Sequence, residues 1–332
     1  MNAPKPYYKI TYNNKDITAD VSRYLLSIQY EDKTEGESDE LTITLEDKDG
    51  LWIDAWYPEK GATLTCELGL QGGQVLNCGT FEIDEPELSG PPSIVSIRAL
   101  AIGINGKLKT KKGGRNHEGK TLSEIVHTLA GINHYSVQGK IANIRFGRIA
   151  QNRESDLQFL ARLAAEYGHY FSIRGKVITF TEQKDLEARS SVLTFTRTDL
   201  TSYNFRDKTS GIYKRAVVKF HNPERNQTIN YTTPDEDVPT DNELEIKTKA
   251  ENQQQAEAKG KAALHRANTL MQSGNIVAPG NVIAVAGNVI SINGFGKLSG
   301  IYFILNSTHN IDRGAGYTTS MEIKRIGAPK DV

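Results

Sequence analysis

Apolar and polar residues alternate along the first hundred residues in a pattern typical of β-strands. Apolar side chains recur at every second position in three segments: Leu26 to Tyr30, Leu41 to Leu45 and Leu64 to Leu70. Turn residues such as Gln71 to Gly73 and Ser89 to Pro92 separate the strands at the short spacing of an antiparallel barrel or sandwich. Residues 1–103 are therefore predicted to form a first all-β unit.

The hydrophobic period becomes helical after residue 103. Thr121-Leu122-Ser123-Glu124 is a capping box in front of apolar residues at helical spacing, and it predicts a short amphipathic helix. A second helix, apolar over a wide arc, is predicted to begin near Ser155 and to end at Gly168. Tyr170 to Phe180 then indicates a hairpin. Residues 104–200 are predicted to be an α+β insertion.

Strand patterns return after residue 200 and are interrupted once. Segments from Arg215, Thr228, Asn281, Ile301 and Tyr317 are predicted to be strands. Thr248-Lys249-Ala250-Glu251 has the capping-box pattern and predicts a long helix at about 249–271. Residues 201–332 are thus predicted to form a second β unit with a helix, and the fold class is a β-rich α+β protein.

Overall charge excludes some classes of protein. The 332 residues contain 40 basic and 40 acidic side chains, with a hydrophobic fraction of 38%. A zero net charge argues against binding nucleic acid or membrane through the overall field. No run approaches the roughly 18 apolar residues of a membrane span, and the start lacks a signal-like apolar core. We expect folding in a cytoplasm and no stable membrane association.

The two cysteines, Cys66 and Cys78, flank the predicted turn at Gln71 to Gly73 symmetrically. They would lie nearly opposite each other in a hairpin, so a disulfide between them is one alternative. A reducing cytoplasm favours two buried thiols. Two cysteines cannot form a zinc site alone, and the scattered histidines indicate no metal site.

A search for catalytic motifs gives little. The glycine-rich segment Gly294 to Gly300 is the nearest match to a phosphate-binding loop, but strands flank it, which predicts a hairpin turn. Asp84, Glu85 and Glu87 could supply the carboxylate pair of a glycosidase, although solvated charges are the simpler interpretation. We therefore expect no catalytic residues and no bound cofactor or metal.

One charged segment is a candidate partner interface. Lys107, Lys109, Lys111, Lys112 and Arg115 lie together between the first β unit and the first helix. They could contact phosphates or an acidic partner surface, or they could form a solvated linker. No aromatic residues interleave to stack on bases.

Three segments resemble the phage late control protein D family. The first is Leu108 to Lys111 with His117 and Lys120 to Val126, and the strongest is Gln151 to Gly168. The third lies near the end and includes Gly294-Phe295-Gly296, His309 and Tyr317-Thr318-Thr319. The resemblance covers residues from about 105 to 326.

This resemblance implies the hub fold shared by the T-even phage hub and the N-terminal part of type VI secretion spike proteins. It implies two tail-tube-like β-barrel domains with the α+β insertion between them, and no catalytic residues. A homotrimer would present six similar domains in a ring with a central channel, which adapts a sixfold tail tube to a threefold spike. Because the sequence ends at Val332 just after a strand, we expect the spike to be a separate protein.

The partners implied are the spike protein, the tail tube or a tube-initiator protein, the tape-measure protein and, as further candidates, baseplate wedge proteins. DNA would be passing cargo only. The expected location is the baseplate of a virion or tailocin particle, assembled in the bacterial host cytoplasm. The sequence does not distinguish between a phage, a tailocin and another injection device.

Three other functions compete with the hub. A hub-associated cell-wall hydrolase would use a carboxylate pair, and a type VI-like spike fragment would deliver effectors. A carbohydrate-binding β protein would need exposed aromatic clefts, for which Trp52 and Trp56 are the only tryptophans.

Overall fold

The chain folds into two compact units, each assembled from separate stretches of sequence. Unit 1 comprises residues 1–103, 190–204 and 274–332, and unit 2 comprises residues 104–189 and 205–273. The structure, a computed structural model, describes residues 5–34, 38–102, 112–222, 227–234, 238 and 240–327. The two predicted barrel domains stay a prediction, but residues from both ends of the chain lie in one compact unit.

Strands make up most of the regular structure in the described residues. In chain order they are β1 (Pro6–Tyr12), β2 (Lys15–Asp16), β3 (Leu25–Lys33), β4 (Glu40–Glu46), β5 (Thr63–Leu70), β6 (Val75–Ser89), β7 (Ile94–Ala101), β8 (Lys112–Glu118), β9 (Ser136–Gln138), β10 (Arg148–Ser155), β11 (His169–Arg174), β12 (Val177–Glu182), β13 (Leu193–Phe195), β14 (Ser202–Asp207), β15 (Arg215–Asn222), β16 (Gln227–Pro234), β17 (Glu243–Lys247), β18 (Gln272–Pro279), β19 (Val289–Ile292), β20 (Gly300–Asp312) and β21 (Gly316–Gly327). The helices are α1 (Thr18–Ser22), α2 (Leu122–Ile132), α3 (Asp156–Glu166), α4 (Gln183–Glu187) and α5 (Gln253–Asn268), with 3-10 turns at Arg197–Asp199 and Gly296–Leu298. The β-rich α+β prediction is confirmed.

Unit 1 is built on a thirteen-stranded sheet, counted over the described residues. Its order is β14-β18-β21-β20-β3-β4-β7-β6-β5-β1-β2, with β19 paired to β20 and β13 paired to β19. The predicted alternation is confirmed at Ile28 and Tyr30 of β3 and at Leu41, Ile43 and Leu45 of β4, which are all buried. At the start of β3, Leu25 is buried in place of Leu26, because the pairing with β4 shifts register there. The antiparallel pairing of β3 with β20 joins the N-terminal strands to the C-terminal ones.

One hydrophobic core fills unit 1 and takes residues from both ends of the chain. Phe81 and Leu64 from the first hundred residues share it with Ile311 and Tyr317 near the end. Cys66 and Cys78 are free thiols buried in the same core. Burial and the side-chain hydrogen bond that the Cys78 thiol shares with Cys66 raise the pKa of Cys78, so it stays protonated and apolar.

The first part of unit 2 forms where the capping signals predict it. Thr121 and Ser155 both close capping boxes, at the starts of α2 and α3. Gly168 follows α3 with a φ of +68°, a conformation that suits glycine. The predicted hairpin is the antiparallel pair β11–β12, and its core includes Phe159, Leu163 and Phe180.

The second part of unit 2 differs from the prediction at its helix. The helix α5 spans Gln253–Asn268 and is shorter than predicted at both ends. The predicted capping box at Thr248 to Glu251 is wrong, because the side chain of Asn252 accepts the hydrogen bond from Gln255 N and caps the helix. The carboxylate of Glu251 instead accepts backbone hydrogen bonds from Gly147 and Arg148, at 2.6 Å and 2.8 Å.

Two strand predictions near the end of the chain also need correction. Residues 281–288 form turns, and the strand predicted from Asn281 begins only at Val289. The Asn281 side chain accepts a hydrogen bond from Ile283 N, which folds this segment locally. Gln272–Pro279, which was not predicted to be a strand, forms β18. Among the helices that the structure describes, none has the length and apolar character needed to cross a membrane.

A buried histidine links β3, β20 and β21 in unit 1. His309 is fully buried, stacks on Tyr30 with ring centroids 6.0 Å apart, and places Nδ1 2.8 Å from the Tyr317 hydroxyl. Burial lowers the pKa of His309 to about 4. The imidazole is therefore neutral in the folded protein at pH 7.

We predict that protonation of the unfolded chain destabilises unit 1 in mild acid. An unfolded histidine takes up its proton near pH 6.5. Between about pH 6.5 and pH 4 the unfolded chain therefore binds more protons than the folded one, so stability falls as the pH is lowered. Replacing His309→Gln should remove about 2–3 kcal/mol of that pH-dependent loss, measured by urea unfolding at pH 7 and pH 4.5. An unchanged difference between the two pH values would contradict this assignment.

We also predict a steric effect at Gly280. A Cβ at this position would overlap the Tyr317 ring, whose hydroxyl meets His309. Gly280→Ala should therefore cost about 3 kcal/mol by forcing the ring out of its place. Gly131→Ala is the control, since a Cβ there meets nothing within 4 Å and helix propensity favours alanine. Equal unfolding midpoints for the two variants would show that the ring moves at no cost.

Candidate functional site

The predicted basic segment leads into a two-stranded antiparallel sheet of unit 2, here called the β8–β10 ribbon. Lys107, Lys109 and Lys111 lie outside the described residues. Lys112 begins β8, and Arg115 follows within the same strand. The ribbon pairs Arg115 with Gln151 and Lys112 with Ser155. The basic segment thus ends beside the start of α3.

Arg115 is occupied by an ion pair within unit 2. Its Nη1 lies 2.7 Å from Oδ1 of Asp156, the first residue of α3. The same carboxylate accepts hydrogen bonds from Gln151 Nε2 at 2.8 Å and Asn133 Nδ2 at 2.9 Å. Asp156 is buried, so these donors replace the water that it would otherwise need.

The charge on Asp156 is stabilised by its partners. Burial would raise the pKa of this carboxyl, but hydrogen bonds from Asn133, Gln151 and Arg115 outweigh it and hold the pKa below its ordinary value. Arg115 therefore fixes the ribbon to the N-terminus of α3. The interface role predicted for the basic segment stays a prediction, and it now depends on the lysines.

The carboxylates considered for hydrolysis lie along an exposed strand. Asp84, Glu85 and Glu87 belong to β6, and Arg98 of β7 lies 3.9 Å from Asp84 and 3.7 Å from Glu85. The guanidinium of Arg98 makes a closer pair with Glu40, at 2.8 Å. This arrangement is typical of cross-strand charge pairing on a solvated sheet face.

Several described carboxyl groups do not suit the general acid of glycoside hydrolysis. A general acid of this kind needs a raised pKa. The carboxyl groups of Glu40, Glu166 and Glu251 have pKa values below their ordinary one, so none of these three is such an acid. Among the residues that the structure describes, no group of three or more His, Cys, Asp or Glu side chains could hold a metal ion.

A groove of about 490 Å³ runs along α5 within unit 2. Its lining combines small apolar residues such as Ala258 and Ala262 with the charged Lys261 and His265. His265 Nε2 lies 3.0 Å from Glu187 Oε1 at one side. No local pattern of the sequence indicates this groove, because its walls come from segments as far apart as Ala142 and His265.

The glycine-rich segment near the end of the chain is a turn. The antiparallel strands β19 and β20 flank the 3-10 turn at Gly296–Leu298, and the Tyr302 hydroxyl donates to Leu298 O at 2.7 Å. The predicted hairpin turn is confirmed. Neither flanking element is a helix whose N-terminus could cradle a phosphate.

Comparison of the sequence with known proteins identifies relatives in two phages. The chain is 34% identical over 221 residues to a probable baseplate hub protein of Escherichia phage 186, and 33% identical over 221 residues to that of Escherichia phage P2. It is similar to phage baseplate hub proteins. The resemblance inferred from the sequence is thereby confirmed. No family model matches the sequence.

The matched region has limits. It covers 65% of this chain and 56% of each relative, so the chain spans about half the length of the curated relatives it matches. What those proteins do as wholes is therefore carried over only as a proposal.

Solved structures with the same fold include a tail protein and a component of a secretion system. A tail protein from Neisseria meningitidis MC58 has a TM-score of 0.71 at 13% identity, with 98% of each chain covered. The E. coli c3393 protein, a component of the type VI secretion system, has a TM-score of 0.60 at 12% identity, with 93% of this chain and 76% of that chain covered. At these identities the likeness establishes the fold alone.

We predict that Asp156 is a stability residue of the ribbon. Asp156→Ala should lower the free energy of unfolding by about 1–3 kcal/mol, because Gln151 loses a buried acceptor and Arg115 loses its partner. Denaturant unfolding measures the loss. Glu118→Gln in the same ribbon is the control, since Glu118 is exposed and 3.7 Å from Arg148, and it should change stability by less than about 0.5 kcal/mol. Similar losses for both variants would refute a special role for Asp156.

Proposed function

We propose that this chain is a structural baseplate hub protein of a contractile, phage-like tail. The observation that carries the proposal is the 34% identity to a probable baseplate hub protein over 221 residues. The fold supports it, because a tail protein matches nearly the whole chain at a TM-score of 0.71.

The hub would act by geometry. Three copies form a ring with a central channel, and each copy supplies two similar tube-like barrel domains, so that six domains face the sixfold tail tube. The opposite side of the ring receives the threefold spike. The shared sheet and core of unit 1 support this arrangement, because they would keep the strands from both ends of the chain in one fixed relation.

The partners proposed follow from this position in the tail. They are the spike protein, the tail tube or its initiator, the tape-measure protein and the baseplate wedge proteins, with DNA only as passing cargo. The particle is a virion or a tailocin, and assembly takes place in the host cytoplasm. A zero net charge suits a channel that should not hold a polyanion tightly.

The lysines of the basic segment are the proposed contacts to a neighbouring subunit or another tail protein. Arg115 is left out of any test of this contact, because its loss would also disturb the buried Asp156. A triple reversal of Lys107, Lys109 and Lys111 to Glu changes the charge without touching that ion pair.

We predict that the purified chain is a trimer, or becomes threefold when mixed with the spike protein encoded beside it. Light scattering gives the native mass of the chain alone and in the mixture. The triple lysine reversal should weaken the assembly, whereas reversal of the exposed Lys15, Lys60 and Lys208 makes the same charge change and should leave it intact.

A monomer that ignores the spike protein would overturn the hub proposal. Turnover of purified peptidoglycan by the same preparation would then favour the cell-wall hydrolase. A fused needle or effector domain in the intact protein would favour a type VI-like spike fragment.

A further inference from the structure

Two thiols meet in the core of unit 1, and the proposed hub function does not use them. Cys66 of β5 and Cys78 of β6 are the only cysteines of the sequence, and both are buried in the same core. The Cys78 thiol shares a side-chain hydrogen bond with Cys66, which places the two sulfur atoms in contact. Within one copy of the chain, each thiol therefore has a single possible covalent partner.

A β-bulge brings the two thiols to the same face of the sheet. Cys66 pairs with Gly79, and the next pair is Glu67 with Asn77, so Cys78 is the extra residue of β6. Two residues of a bulged strand face one residue of its neighbour, and here Cys78 and Gly79 face Cys66. If the pairing continued from Gly79 without a bulge, Cys78 would lie opposite Glu67 and would point away from the core.

This placement suits a disulfide. Residues that face each other across antiparallel strands have Cβ atoms about 4.5–5.5 Å apart, whereas a disulfide needs about 3.5–4.5 Å. A shift of about 1 Å therefore allows the bond to form. The extra residue of a bulge is unpaired in the ladder, so the backbone at Cys78 can make this shift without losing a pair.

The folded hairpin protects the Cys78 thiol from reaction. The species that attacks a disulfide is the thiolate. Burial raises the pKa of Cys78, and the negative charges of Asp32 and Asp39 raise it further. Reaction with a reagent in solution therefore requires the hairpin to open.

The half of β6 that contains Cys78 is the part that opens most easily. Val75 to Gly79 pair with β5, whereas the pairing of β6 with β7 begins only at Phe81. Among the described strands, β5 is thus the single ladder partner of this half of β6. The turn from Gln71 to Gln74 is exposed. Segments with few partners open locally at a lower free energy than the rest of a sheet.

We propose that Cys66 and Cys78 form a latent disulfide, which stays reduced in the cytoplasm and closes when the hairpin opens in the presence of a small-molecule disulfide. The bond would fix the distal half of β6 to β5. The proposal goes beyond the hub function and its chemistry does not depend on it. The hub function adds only that the particle leaves a reducing compartment for an oxidising one.

The reaction is two successive thiol–disulfide exchanges. In the open hairpin, the Cys78 thiolate attacks one sulfur of oxidised glutathione and expels a glutathione thiolate, which takes up the proton that Cys78 released. The Cys66 thiolate then attacks the Cys78 sulfur of the mixed disulfide and expels the second glutathione in the same way. Two protein thiols are oxidised, and one glutathione disulfide is reduced to two thiols.

The test uses the full chain, purified with a reductant that is then removed, and an excess of oxidised glutathione. The intact chain should lose the mass of two hydrogen atoms, and the thiol count under denaturing conditions should fall from two to none. The unfolding midpoint of unit 1 should rise by about 5 °C, because the bond restricts the unfolded chain. A reductant should reverse all three changes.

Three variants separate the bond from other effects of oxidation. Cys66→Ala and Cys78→Ala each keep one thiol, so neither should lose two hydrogen atoms or gain midpoint on oxidation. Gly72→Ala places a Cβ at a φ of +76° in the hairpin turn, which destabilises the closed hairpin. It should therefore speed formation of the disulfide by at least about threefold.

A parent chain that keeps both thiols, retains glutathione or forms covalent dimers would overturn the proposal. An oxidised chain whose midpoint does not rise would overturn it as well, and an unchanged rate in Gly72→Ala would overturn the protection assigned to the hairpin. None of these results alters the hub proposal, which is decided separately by the native mass with and without the spike protein.

Discussion

Everything in unit 1 depends on the antiparallel pairing of β3 with β20. This pairing joins Ser27 to Asp312 and Lys33 to Asn306, residues more than 270 positions apart in the sequence. β20 also pairs with β19 and β21, so it connects the C-terminal strands to the sheet of the first hundred residues. Because such contacts are formed only after a long loop has closed, they make folding slow and hold the ends of the chain together once formed.

Polar contacts in both units reinforce pairings over long sequence distances. In unit 1, the carboxylate of Asp32 is buried and accepts a hydrogen bond from Ala286 N at 3.0 Å. In unit 2, the Glu251 carboxylate accepts hydrogen bonds from the backbone N–H groups of Gly147 and of Arg148, the first residue of β10, and Gln255 donates to Arg145 O at 2.8 Å. Backbone groups outside helices and sheets need such partners when they lie close to a packed surface. The same side-chain contacts therefore hold distant segments in place and satisfy their backbone hydrogen-bonding groups.

The sequence predicted the elements whose determinants are local. Capping boxes located the starts of α2 and α3, alternation located β3, β4 and β21, and turn residues located the hairpin β11–β12. The predicted cap of α5 was wrong. Thr248 to Glu251 matches the capping-box pattern, but the Glu251 carboxylate accepts a hydrogen bond from the distant Gly147 N instead. The pairing of β3 with β20 had no local signal, since alternation defines the face of a strand but not its neighbour.

In the candidate interface, too, local sequence does not predict which charged side chains pair with each other. Sequence alone marks Arg115 as one of five equivalent cations in a basic segment, whereas Asp156, forty-one positions later, engages it. Whether a cation is available to a partner is decided by which carboxylate the fold brings to it. A basic run in a sequence thus locates a surface, and the tertiary structure selects the residues on that surface that can still bind.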